Sequence, residues 1–188
     1  PGLAPSLRKM VSSRHHFDQR LCSRVARTTE EKAKNYWLTH TGMPGYTHLQ
    51  KAQPVADLHS GDCVIGADTI VYLEGDILGK PHTPDVAKAY LSRMQGKRHV
   101  VFTGVAVLKN GKADVRHCET TVTFAPMTER EIEAYVATGE PLDKAGAYGV
   151  QGPGGIFVER VEGNYFNVIG LPLPMLYKML IDAGEVVI

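Results

Sequence analysis

The sequence His99-Val-Val-Phe-Thr-Gly-Val-Ala-Val-Leu-Lys-Asn-Gly-Lys-Ala-Asp-Val-Arg-His-Cys-Glu-Thr-Thr-Val-Thr-Phe124 holds two β-branched, apolar runs on either side of Asn110-Gly111. Asn-Gly is the preferred pair for a two-residue turn in which both residues adopt positive φ. Valine, threonine and phenylalanine are typical of strands. The stretch therefore predicts a two-stranded antiparallel ribbon formed by residues 99–108 and 113–124.

Segments outside this ribbon predict further strands and several helices. Thr83-Pro84-Asp85 has the hydroxyl cap, proline and acid of a helix start, and Thr128-Glu-Arg-Glu131 is a capping box. The apolar periodicity predicts helices over 28–41, 83–96, 128–138 and 173–183, and further strands over 63–73 and 156–161. The stretch 43–60 is predicted to be a loop.

Composition predicts one domain with its own core, because 188 residues with 43% apolar content suit a single domain, with room for two lobes. No apolar run approaches the roughly 20 residues of a membrane span, and the first residues lack the apolar core of a secretory signal. The three cysteines are an odd number without close pairing, which indicates reduced thiols. A cytoplasmic protein without a membrane partner is expected.

The charge pattern gives no support for nucleic-acid binding. The net charge is +1, although residues 1–34 hold eight lysines and arginines against three acids. No aromatic interleaving or nucleic-acid motif accompanies this basic segment. A solvated helical face, partly turned toward phosphate, is the preferred interpretation.

The segment Asp143-Lys-Ala-Gly-Ala-Tyr-Gly-Val-Gln151-Gly-Pro-Gly-Gly155 combines a carboxylate, a cation and an amide with five glycines. Glycines allow the backbone to approach a bound group closely. Lys144 supplies a charge suited to phosphate, and Gln151 offers both a donor and an acceptor. The segment predicts a ligand-holding loop, with a glycine-rich surface loop as the alternative.

Four other motifs occur with this segment in a characteristic order along the chain. They are Gly66-Ala-Asp68-Thr69, Gly79-Lys80-Pro81, His99-Val-Val-Phe-Thr-Gly104 and Asn167-Val-Ile-Gly-Leu-Pro172. From about Cys63 onward the series resembles the Maf family of nucleoside triphosphate pyrophosphatases. The resemblance implies an α/β fold in which a twisted mixed sheet is flanked by helices around a central cleft, similar to that of inosine triphosphate pyrophosphatases.

The resemblance also implies an activity, the hydrolysis of nucleoside triphosphates to the monophosphate and pyrophosphate, with a divalent cation (Mg or Mn) and a homodimeric assembly. It places Asp68, Lys80 and Gln151 in the active site, as catalytic residues, and Thr69 beside them as a substrate contact. Residue chemistry adds two expectations: Asp68 can ligate the metal, and Lys144 can bind phosphate oxygens. In such relatives a threonine and a glutamine at the places of Thr69 and Gln151 accompany dTTP and UTP, whereas a branch that prefers methylated GTP has glutamine and glutamate there.

The residues themselves favour this chemistry but leave alternatives. Neutralising a triphosphate requires cations and a carboxylate, and Asp68 interrupts an apolar strand, which is costly for a charge without a partner. Three alternatives remain open. Asp68 could cap a turn, and Lys80 could be a solvated lysine. Lys144 could pair at the surface with Asp143 or Glu140.

Other candidate residues have weaker support. The stretch 75–81 mimics a P-loop but has the wrong glycine spacing and Pro81 in place of the hydroxyl residue, so the P-loop is rejected. His99 in an apolar strand is interpreted as a structural histidine. Binding without turnover, as in a nucleotide-binding regulatory protein, is the alternative to an enzyme.

The N-terminal part departs from the family pattern. The family's Ser-x-Ser-Pro-Arg-Arg motif contacts phosphates, and its nearest counterpart is Ser6-Leu7-Arg8-Lys9, with leucine for proline and lysine for the second arginine. Lysine cannot reproduce a bidentate arginine contact. Ser6, Arg8 and Lys9 are nonetheless candidate substrate contacts. Lys32, in Glu-Glu-Lys-Ala, matches a family helix with a phosphate-facing lysine, and an exposed helical lysine is the alternative.

A second resemblance covers only residues 43–55, Met-Pro-Gly-Tyr-Thr-His-Leu-Gln-Lys-Ala-Gln-Pro-Val. It resembles an active-site segment of the argininosuccinate lyase and fumarase superfamily. The second loop that those lyases need, Gly-Ser-Ser-x-Met-Pro, is absent from this sequence. The stretch is therefore interpreted as an inserted or coincidental loop.

Overall fold

The structure is a computed structural model that describes residues 45–59 and 61–185. Its helices are α1 (Gly45–Leu58), α2 (Pro84–Met94), α3 (Glu129–Ala137), α4 (Tyr165–Val168) and α5 (Leu173–Asp182). Its strands are β1 (Val64–Leu73), β2 (Asp76–Leu78), β3 (Arg98–Lys109), β4 (Lys112–Phe124) and β5 (Val158–Gly163). Short 3-10 turns cover Glu140–Asp143, Ala145–Ala147 and Pro153–Phe157. The predicted α/β class is confirmed.

The five strands form one sheet in the order β2-β1-β3-β4-β5. Strand β1 pairs antiparallel with β2, and β4 pairs antiparallel with β5. The ribbon predicted around Asn110-Gly111 is present as β3 and β4, and the two turn residues have φ of 51° and 72°. The described sheet is antiparallel where a mixed sheet was predicted. Tight turns enforce this pairing for β1 with β2 and for β3 with β4.

Capping predicted from sequence is also present. Thr83 accepts from the backbone N–H of Val86 at the start of α2, and Thr128 and Glu131 form both bonds of a capping box at the start of α3. The predicted strand 156–161 lies two residues further on, as β5, because residues 153–157 form a 3-10 turn. The helix predicted over 28–41 lies outside the described residues.

The loop predicted over 43–60 was wrong, because residues 45–58 form α1. Proline at position 54 removes one helical hydrogen bond and argues against a helix on local grounds. Packing outweighs this cost. Ala52 is fully buried, and its cluster contains Val64, Ala106 and Leu108, with Leu49 and Val55 packed against it.

The described residues fall into two compact units. Unit 1 contains the residues up to Asp68 with Gly104–His117 and those from Leu173 onward, and unit 2 contains Thr69–Thr103 and Cys118–Pro172. The cluster around Ala52 is the core of unit 1. A larger cluster, including Leu91, Phe124 and Tyr135, is the core of unit 2. Within the described ranges no helix has the length and apolarity needed to cross a bilayer.

Candidate active site

Asp68, the acid in the middle of β1, forms an ion pair in unit 1. Its carboxylate Oδ1 lies 2.9 Å from Nζ of Lys51, and the two side chains are 27% and 21% exposed. The charge that interrupts the apolar strand therefore has the partner that its position requires. This contact makes a simple turn-capping role for Asp68 unnecessary.

Lys51 is the functional candidate that sequence reasoning missed. It lies on α1 next to the fully buried Ala52, so the packing of α1 holds the stem of Lys51 beside β1. A lysine with a side chain only 21% exposed is unusual, because most lysines keep their ammonium group in bulk water. Recognising residues 45–58 as an amphipathic helix would have brought Lys51 into consideration.

Thr69 follows Asp68 in β1 but makes its contacts in unit 2. Successive residues of a strand point to opposite sides, so Thr69 meets different elements. Its Oγ1 lies 2.8 Å from Oγ1 of Thr103 on β3. The structure thus gives each of these two neighbouring side chains its own set of partners.

Lys80 and Lys144 lie on two segments of unit 2 that are joined through their backbones. The N–H of Gly146 donates to the carbonyl of Gly79 at 3.1 Å, and the N–H of His82 donates to the carbonyl of Leu142 at 3.1 Å. Gly146 has φ of 71° and no room for a side chain, because a Cβ there would lie 2.8 Å from a methyl of Val71. The structure therefore brings the two lysine-bearing segments together and packs one of them against β1.

Of the partners that the sequence left open for Lys144, the structure selects Asp143. The Lys144 ammonium group forms an ion pair with Oδ1 of Asp143, and both side chains are substantially exposed. An exposed pair between adjacent residues contributes little to stability. Lys144 can therefore exchange this partner for a phosphate at low cost.

Glu140, the other acid considered as a partner of Lys144, contacts the glycine-rich segment. Its Oε2 accepts from the hydroxyl of Tyr135 at 2.7 Å and from the N–H of Gly154 at 2.9 Å. The same tyrosine oxygen accepts from the N–H of Gly149 at 3.2 Å. Burial, together with the bond to Glu140, raises the pKa of Tyr135, so this hydroxyl keeps its proton as a donor. We call these four residues the loop clamp.

The loop clamp explains why this segment is so rich in glycine. A Cβ on Gly152 would lie 1.7 Å from Oε1 of Glu140, and one on Gly154 would lie 2.2 Å from the hydroxyl oxygen of Tyr135. The segment can approach the clamp only without side chains at these positions. Gln151, which lies between the clamped residues, is exposed. The loop thus presents an amide on a fixed backbone.

His99 is a structural residue, as the sequence indicated. It is 2% exposed, and its Nε2 lies 2.8 Å from the hydroxyl oxygen of Tyr148. Phe124 and Tyr148 both contact the imidazole edge to face, at centroid distances of 5.1 and 5.3 Å. Burial lowers the pKa of His99 to about 4, so the imidazole is neutral inside the fold at ordinary pH.

The described residues contain no cluster of three acids, histidines or cysteines able to hold a metal by themselves. The predicted phosphate contacts Ser6, Arg8, Lys9 and Lys32 lie outside the described residues.

Comparison with known proteins identifies the family to which the chain belongs. The family model described as "Maf-like protein" matches residues 8–183. A "dTTP/UTP pyrophosphatase" of Moorella thermoacetica is 52% identical over 138 residues, which are 72% of this chain and 71% of the relative. Proteins of the same name from Bacillus cereus and Bacillus mycoides are 51% and 50% identical over 132 residues, 70% of this chain and 69% of each relative. The chain therefore belongs to the family of Maf-like proteins.

Proposed function

We propose that this chain is a nucleoside triphosphate pyrophosphatase that hydrolyses dTTP and UTP to the monophosphate and pyrophosphate. The observation that carries this proposal is the identity of about half of the aligned residues with proteins named for that activity, over more than two thirds of both chains. An enzyme is favoured over a binding protein without turnover.

The reaction forms a bond between a water oxygen and the α-phosphorus and breaks the bond from that phosphorus to the oxygen bridging to the β-phosphorus. Pyrophosphate leaves with the bridging oxygen. We propose Asp68 as the catalytic carboxylate that orients the water. Lys51, at 2.9 Å, fixes the rotamer of this carboxylate and compensates its charge before substrate binds.

Cations must offset the charge of the triphosphate, and electrostatic stabilisation is the main source of acceleration in such reactions. We assign this role to Lys80 and Lys144, which lie on segments joined by backbone hydrogen bonds. Gln151 contacts the substrate from the clamped loop. Ser6, Arg8, Lys9 and Lys32 are proposed as further substrate contacts, in keeping with the family resemblance.

The donor set fits a magnesium or manganese ion bound mostly through the substrate. Mg²⁺ is commonly held by one or two carboxylates together with phosphate oxygens and water, without an all-protein cage. Asp68 would provide the protein ligand. When bound, such an ion supplies charge neutralisation at the phosphates.

We further propose that the chain acts as a single domain in a cytoplasmic homodimer. Leu173, Tyr177 and Ile181 form an exposed apolar stripe along α5, beside the buried Leu176 and Leu180. Such a stripe is more typical of an interface than of a solvated helix. Light scattering coupled to gel filtration measures the mass, and a monomer at micromolar concentration would contradict the dimer.

The activity is tested with a nucleotide panel of dTTP, UTP, CTP, GTP and 7-methyl-GTP, each with Mg²⁺ or Mn²⁺, while pyrophosphate release is measured. Fastest release from dTTP and UTP is expected. Calorimetric titration with a non-hydrolysable UTP analogue measures binding separately. Binding without pyrophosphate release from any nucleotide would favour the regulatory protein.

A further inference from the structure

Three polar groups of unit 2 form a continuous hydrogen-bonded chain that starts at Thr69. The Thr69 hydroxyl lies 2.8 Å from the Thr103 hydroxyl, and the Thr103 hydroxyl donates to the carbonyl oxygen of Asn167 at 3.0 Å. Thr103 and Asn167 are fully buried, whereas Thr69 is only half-buried. We call these three groups the hydroxyl chain.

The hydrogen bond from Thr103 to the Asn167 carbonyl sets the direction of the hydroxyl chain. A carbonyl oxygen has no proton, so Thr103 must donate to Asn167. A hydroxyl has one proton, so Thr103 can only accept from Thr69. The Thr69 proton is thereby committed to Thr103. Thr69 can offer a ligand only its lone pairs.

The carbonyl at the end of the chain is held in place. It also accepts from the N–H of Gly170 at 3.0 Å. The Asn167 side-chain amide donates to the carbonyl of Val101 at 2.9 Å and to the hydroxyl of Thr120 at 3.0 Å. Because Thr120 donates its own proton to the carbonyl of Asn164, it accepts from Asn167, which fixes the orientation of that amide. Reversal of the chain would therefore break the buried hydrogen bond from Thr103 to the Asn167 carbonyl.

We infer that Thr69 accepts a hydrogen bond from the imide N3–H of uracil or thymine, and that Thr103 is a specificity-determining positioning residue because it fixes the polarity of Thr69. This inference rests on the proposed function. Cytosine has a lone pair at N3 instead of a proton, so it meets the Thr69 oxygen with repulsion and no bond. Guanine also has an imide N–H, so the hydroxyl chain separates UTP from CTP and leaves purine exclusion to other contacts.

The first test uses the unmodified protein and compares UTP, CTP and N3-methyl-UTP in pyrophosphate release. A site that bonds a substrate N–H rejects analogues without it strongly, so we expect kcat/KM for CTP and N3-methyl-UTP to be lower by about 100-fold or more. Hydrolysis of N3-methyl-UTP at the rate of UTP would overturn the inference. Absence of release from UTP and dTTP alike would instead refute the proposed function.

The second test changes the polarity without touching Thr69. Thr103→Val keeps the shape and frees the Thr69 proton to donate to cytosine, so the UTP to CTP ratio of kcat/KM should fall by about tenfold or more. Thr103→Ser should restore the ratio. Thr121→Val, a half-buried threonine of β4, serves as the matched control and should leave it unchanged. A ratio unchanged in folded Thr103→Val protein, or lowered equally by the control, would contradict the role of Thr103. If Thr103→Val does not fold, the N3-methyl-UTP comparison and the Thr103→Ser ratio decide the inference.

Discussion

Alanine at position 152 should destabilise the protein only while Glu140 is present. The new Cβ would lie 1.7 Å from Oε1 of Glu140, far below the 3.0 Å that real Cβ contacts respect. The carboxylate cannot rotate away freely, because its other oxygen holds the hydroxyl of Tyr135 and the N–H of Gly154. The backbone itself tolerates alanine, since Gly152 has φ of −115° and ψ of −156°, in the extended region.

The magnitude follows from the bonds that must break. A hydrogen bond to a charged group contributes about 1.5–3 kcal/mol, so displacing the carboxylate from two of them, with partial re-solvation, should cost about 3 kcal/mol. In the Glu140→Ala background the clash is absent, and Gly152→Ala should cost less than about 1 kcal/mol.

The assay is a double-mutant cycle by urea unfolding, with the unfolding free energy measured for the parent, Gly152→Ala, Glu140→Ala and the double variant. A coupling energy of about 2 kcal/mol or more is expected. If Gly152→Ala costs the same in both backgrounds, the close contact with Glu140 is not the reason for glycine at this position.

Three further predictions concern the proposed chemistry and the buried histidine. Asp68→Asn should lower kcat by at least about 100-fold while the circular dichroism spectrum stays unchanged, and near-normal turnover would make Asp68 structural. Lys80→Ala and Lys144→Ala should each lower kcat/KM by about tenfold. Lys88→Ala, which breaks only an exposed ion pair with Glu133, should leave it unchanged, and equal effects of all three variants would refute the phosphate role. Burial lowers the pKa of His99 from 6.5 to about 4, so the unfolded chain binds a proton in this window that the folded chain does not. The unfolding free energy should therefore fall by about 2–3 kcal/mol from pH 7 to pH 4.5 through this group, and His99→Gln should flatten that part of the pH profile.

Local signals account for the parts of the fold that the sequence predicted. Asn110-Gly111 determines its turn because few residue pairs accept positive φ twice in succession. The capping box of Thr128 and Glu131 is likewise complete within four residues. The need of Asp68 for a charged or polar partner was predictable in the same way, because an unpaired charge in an apolar strand is costly.

The parts that sequence reasoning missed depend on contacts between distant residues. Helix α1 is stabilised by packing of Ala52 in the core of unit 1, whereas Pro54 argues locally against a helix. Lys51 could not be assigned until α1 was placed against β1. The role of Glu140 depends on Gly154, 14 residues away, whereas the sequence offered Lys144 as its nearest plausible partner.

Helix α1 also shows that a fold can constrain only some of the side chains of a helix. Among the side chains of α1 that the structure describes, packing constrains Leu49, Ala52, Val55 and Ala56, and an ion pair constrains Lys51. The exposed positions, among them Gln53 and Pro54, contact solvent. The stretch that resembles a lyase active-site segment therefore serves in this fold as an ordinary packing helix. A helix-compatible peptide that keeps Lys51, Ala52, Val55 and Ala56 should be exchangeable for residues 51–58, which makes this part of α1 a graft site for engineered chimeras.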